Sequence, residues 1–96
     1  MSTWTMTMKI GHEVIRRGDD AATTAQAWDA VHQAAAEFVR VGQLGPISLE
    51  VDGTRSTIHP AESGDPAADA EATLEVIESG RVALVEAHEA AHEAAE

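Results

Sequence analysis

The segment 47–58, ISLEVDGTRSTI, leaves this chain little conformational choice. Asp52-Gly53 lies between two strand-like runs, and Asp-Gly favours the type I′ turn, whose twist matches that of a two-stranded ribbon. A two-residue turn sets Val51 opposite Thr54, Glu50 opposite Arg55, Leu49 opposite Ser56 and Ile47 opposite Ile58. Glu50 and Arg55 form an opposite-charge cross-strand pair, so turn and charges specify the same register. Ile47, Leu49, Val51 and Ile58 then share one face. A lone hairpin is marginal in water, so that face requires a covering layer.

The rest of the chain offers such layers. Trp4, Met6, Met8 and Ile10 alternate with Thr3, Thr5, Thr7 and Lys9, the period of a half-buried strand. Gly11-His12 can turn the chain into a second short strand over 13–17, stopped by Gly18. Thr23 with Gln26 three residues later fits a capping box. Trp28, Val31, Ala35 and Phe38 recur at helical spacing, and Gly42 supplies a stop. These signals predict a helix over 24–41 that carries the best core anchors, with His32 at the edge of the core. After a loop over 60–66, Asp65-Pro66 gives an acidic N-cap and a proline at the first helical position. Ala70, Leu74 and Ile77 follow on one face until Ser79-Gly80 interrupts. That break leaves two readings open: a pair of helices, 66–79 and 81–96, or a single kinked helix, at a cost of about 1 kcal/mol for its interior glycine.

The expected fold class is therefore α+β: a small antiparallel sheet of three to four strands, including the 47–58 hairpin, packed by helix 24–41 and the C-terminal helices. Residues 1–61 form the core, and 62–96 an acidic helical region of the same single domain.

Charge divides the chain in the same way. Residues 1–61 carry seven acids and five bases, for −2; residues 62–96 carry ten acids and only Arg81, for −9. A face this acidic argues against nucleic acid and anionic membranes as partners, since both demand a basic surface. It suits a basic protein or simple solvation. Arg16-Arg17 is the one basic doublet, too small for a nucleic-acid footprint; surface solvation is its expected use, and a salt link to the acidic tail is the lesser alternative. The core is thin, with two Trp, one Phe and no Tyr, and self-association would help it. Without cysteine there is neither a disulfide nor a thiolate metal site. The first ten residues lack the basic and apolar regions of a signal peptide, and no apolar run reaches membrane-spanning length, so a cytoplasmic location is expected. Abundant Ala with one Lys points to a bacterial, archaeal or phage source.

One motif carries chemistry. His88-Glu89-Ala90-Ala91-His92 spells HExxH, the zinc peptidase pattern, in which two histidines one turn apart share a metal and the glutamate acts on bound water. Its context is poor. Only Glu96, four residues past His92, offers a third ligand, and the surrounding Glu and Ala predict an exposed helix. Chance placement gives this pattern in roughly 3% of chains of this composition. His88, His92 and Glu96 are thus candidate ligands for an adventitious zinc or nickel ion, and no cofactor is expected. No Gly-rich phosphate loop or nucleophile motif is present.

The leading expectation is a small acidic non-enzymatic protein-binding or regulatory module, self-associating, with Glu75, Glu78, Glu86, Glu89 and Glu93 facing a partner or a second copy. The alternatives are a nucleic-acid-mimicking inhibitor of a basic partner and a minimal zinc-dependent hydrolase built on HEAAH.

Overall fold

A computed structural model describes the backbone of residues 1–95 and the side chains of residues 1–89. The fold is α+β. Four antiparallel strands, β1 (Ser2–Ile10), β2 (Glu13–Ala21), β3 (Ile47–Val51) and β4 (Thr54–Ile58), form a sheet in the order β2-β1-β3-β4. Two helices, α1 (Thr24–Arg40) and α2 (Pro66–Ala95), complete it.

The β3–β4 hairpin has the register set by its turn, with Glu50 against Arg55 and Ile47 against Ile58. Asp52 and Gly53 both take positive φ, 49° and 87°, as a type I′ turn requires. The Glu50–Arg55 ion pair closes at 3.3 Å. Asp52 also ties the turn to β1: its N–H donates to the Thr3 carbonyl and its Oδ1 accepts from the Thr3 N–H.

β2 is longer than its composition predicts. It continues through Gly18 to Ala21, because each residue of the nine-residue β1 finds a partner on it, Thr5 with Gly18 and Ser2 with Ala21. Pairing here overrides the weak strand propensity of Gly and Asp.

α1 starts as expected, with Thr23 Oγ1 accepting from the Gln26 N–H at 3.1 Å. It ends in a Schellman motif. Gly42, at φ 89°, donates to the Val39 carbonyl, and Gln43 donates to that of Phe38. The helix lies over β1, β2 and β3. Together they bury Met6 and Met8 from β1, Leu49 and Val51 from β3, and Trp28, Val31 and Val39 from α1.

The C-terminal region is one continuous helix, which decides between the single helix and the pair 66–79 and 81–96. Asp65 caps it, its Oδ1 accepting from the Ala67 and Ala68 N–H groups. The helix packs along α1 and contributes Ile77 to the core. Gly80 does not break it because the residue is there for packing. A Cβ at this position would sit 3.3 Å from His32 Nε2 on α1, closer than ordinary van der Waals contact. None of the helices described is long and apolar enough to cross a membrane.

Candidate functional site

The seam between α1 and α2 gathers most of the chemistry-bearing side chains. α1 presents Trp28 and His32 four residues apart, hence on one face. α2 answers with Gly80, Arg81 and His88. The missing side chain at Gly80 lets His32 sit directly against the α2 backbone. His88 stacks on the Trp28 indole at 6.1 Å between centroids and 22° between planes, while His32 lies tilted beside the same ring at 6.0 Å and 48°. Trp28 is 1% exposed, and its buried Nε1–H has no hydrogen-bond partner among the described residues.

His32 is fully buried, not at the edge of the core, because docking of α2 covers it. Its Nδ1 lies 2.6 Å from the Trp28 carbonyl. A carbonyl only accepts, so Nδ1 carries the proton and Nε2 is the bare nitrogen. Burial holds the imidazole below its usual pKa of 6.5, and the nearby Arg81 charge pushes the same way, against the Trp28 carbonyl, Asp29 and Glu78. Above about pH 6.5 the folded and unfolded chains are both neutral at this residue, and its contribution to stability is complete. As pH falls from 6.5 towards the lower folded value, the unfolded chain takes a proton that the folded one refuses. Stability should then drop by up to about 1.4 kcal/mol per pH unit. Urea midpoints at pH 7.5 and 5.5 measure this. A slope unchanged in His32→Gln would assign the effect elsewhere.

Beside His32, Arg81 joins the two helices. Its Nη1 donates to Asp29 Oδ1 on α1 at 3.1 Å, and its Nε donates to Glu78 Oε2 at 3.0 Å. These bonds hold Arg81 well above its ordinary pKa and Glu78 below the usual carboxylate value. Below this cluster the seam opens into a groove of about 330 Å³, bordered by Gln33, Arg40, Glu71 and Glu75.

The predicted site residues fall in different places. Glu75, Glu86 and Glu89 are exposed on α2, whereas Glu78 is engaged by Arg81. His88 is half-buried on Trp28, a contact that an exposed tail helix did not foresee. The His92 and Glu93 side chains and all of Glu96 lie outside the described residues. Among the described residues, no three His, Cys, Asp or Glu side chains gather as metal ligands would. His88→Ala should therefore cost about 0.5–1.5 kcal/mol in metal-free buffer, the worth of an aromatic contact beyond its area. A variant as stable as the parent in chelator would make the stack inconsequential. Arg17 makes no ion pair with the described part of the tail; its guanidinium lies 5.3 Å above the Phe38 ring.

Sequence reasoning missed the seam, although a signal existed. A glycine inside an otherwise helical run has a packing reason more often than a hinge role. Gly80, Leu84 and His88 recur at one-turn spacing from it. The arrangement clamps two helices together, and the bare nitrogen of His32 is buried against the α2 backbone. No family model matches the chain, and neither curated proteins nor solved structures give a match.

Proposed function

We propose that this chain is a small non-enzymatic protein-binding module that associates with itself and offers the acidic outer face of α2 to a basic protein partner. The observation that carries this reading is the disposition of charge on α2. Glu71, Glu75, Glu86 and Glu89 are exposed, and so are the apolar side chains of Val76 and Val82. The single cation of the helix, Arg81, is spent on Asp29 and Glu78 at the seam. Among the described residues no ion pair engages these four carboxylates, and two apolar side chains are exposed on the same helix. Such a surface steers a basic partner by long-range attraction and gives it apolar area to bury.

The test is affinity capture from the source cells with the wild-type chain and with Glu71→Gln, Glu75→Gln, Glu86→Gln and Glu89→Gln combined. A partner retained by the wild type, lost by the variant and released as salt rises supports the reading. Capture indifferent to both the variant and salt would sink it.

A further inference from the structure

β2 is an edge strand, exposed along almost its whole length. The direction of its free backbone groups follows from the ladder. On β1, the Lys9 N–H donates to the Pro46 carbonyl and the Thr3 carbonyl accepts from Asp52, so odd-numbered residues of β1 turn their backbone groups to β3. Alternation turns the even ones to β2. These pair with Glu13, Ile15, Arg17, Asp19 and Ala21, so Val14, Arg16, Gly18 and Asp20 aim their N–H and C=O groups outward. Two side-chain contacts agree. The Asp20 N–H is capped by Asp19 Oδ1 at 2.8 Å, and the Arg16 carbonyl by Arg17 Nη1 at 3.3 Å.

The order of residues on this edge is self-complementary. It reads Val14-Ile15-Arg16-Arg17-Gly18-Asp19-Asp20-Ala21-Ala22. Laid antiparallel against itself about Gly18, it sets Arg17 opposite Asp19, Arg16 opposite Asp20, Ile15 opposite Ala21 and Val14 opposite Ala22. We infer that the protein pairs with a second copy of itself through β2, antiparallel and centred on Gly18, joining two four-stranded sheets into one. This deepens the self-association half of the proposed function and rests on it.

Neighbouring registers are worse. Opposed residues of a continuous sheet point to the same face, so the centre can move only in whole-residue steps that keep odd against odd. Centring on Arg17 opposes two arginines and sets Asp19 against Ile15. Centring on Asp19 opposes two aspartates and sets Arg17 against Ala21. Only the Gly18 centre sets both arginines opposite aspartates, and like its neighbours in these steps it puts outward backbone groups against outward backbone groups. Gly18 places no side chain at the dyad, and glycine in a strand interior is a site where another backbone comes close. The wider charge distribution allows the contact. α2 packs against the flank of α1 that carries Trp28, Asp29 and His32, while Phe38, under Arg17, lies on the flank towards β2. Pairing through β2 therefore keeps the two acidic helices apart. It also brings together the half-buried recess formed by Trp4, Ala34, Phe38 and Val41 of each copy.

Charge exchange tests the register. Wild type should be a dimer in light scattering. Arg16→Asp with Arg17→Asp, and separately Asp19→Arg with Asp20→Arg, should each raise the dissociation constant about 100-fold or more, since every opposed pair becomes like-charged. Mixing those two variants should restore a one-to-one heterodimer. All four substitutions together, which preserve net charge and complementarity, should dimerise like the wild type. On the wild-type chain itself, amide exchange at Arg16, Gly18 and Asp20 should slow as concentration rises, a readout that does not depend on any variant folding. A dimer that persists in both charge variants, a mixture that stays monomeric, or amides indifferent to concentration overturns this surface while leaving self-association standing. A monomeric wild type at millimolar concentration overturns both.

Discussion

Trp28→Ala should remove about 3–5 kcal/mol of folding stability, the range for deleting a buried large aromatic. The indole is 1% exposed and is the largest fully buried side chain. It is also where the sheet, α1 and α2 meet, since its ring carries His88 from α2 and touches His32 on its own helix. A cavity here cannot close by local adjustment, because the walls belong to separate elements. For a domain whose whole stability is about 5–15 kcal/mol, much of the chain would unfold at modest denaturant. Urea denaturation followed by far-UV circular dichroism measures the loss as a shift of midpoint at constant slope. Trp28→Phe separates shape from polarity. It keeps a ring in the stack and deletes the Nε1–H that has no partner among the described residues, so it should cost well under half as much. A loss below about 1 kcal/mol for Trp28→Ala would contradict the place given to the indole.

Gly45→Ala should cost about 3 kcal/mol, the upper end of the range for atoms forced into a packed site. The residue is buried at the corner between α1 and β3. A Cβ there would stand 2.0 Å from the Lys9 carbonyl oxygen and 3.1 Å from the carbonyl carbon. Both are backbone atoms of β1, so no side chain can swing aside. Relief would part the corner from β1 and stretch the Lys9-to-Pro46 hydrogen bond that opens the β1–β3 ladder. The same denaturation measurement applies. Amide exchange at Lys9 should accelerate beyond the global change. A variant within 0.5 kcal/mol of the parent would show that the corner yields easily.

What the sequence discloses here depends on the range of the interactions. The β3–β4 register and both caps of α1 are readable because each rests on residues within a few positions of one another: Asp52-Gly53 with Glu50 and Arg55, Thr23 with Gln26, Gly42 with Phe38 and Val39. The extent of β2 is not readable from Arg16-Arg17-Gly18-Asp19-Asp20, which has poor strand propensity; the distant β1 dictates it. Gly80 is ambiguous for the same reason. Locally it resembles a break, and only the presence of His32 across the seam explains it. The candidate site follows suit. HEAAH is conspicuous because it is local, yet the seam involving His88 is assembled from partners more than forty residues away in the chain.

The dependence of α2 on α1 bears on how the protein comes into being. A ribosome delivers all four strands and α1 before it delivers α2, and domains generally consolidate as units during synthesis. Through that interval the flank of α1 with Trp28 and His32 faces water, and His32 is an ordinary histidine that titrates near neutrality. Arrival of α2 strips the imidazole of its solvent and seals the indole. Docking of α2 on α1 is therefore an acid-sensitive step. Under mildly acidic conditions α2 would meet a protonated His32, whose proton must leave as the helix docks.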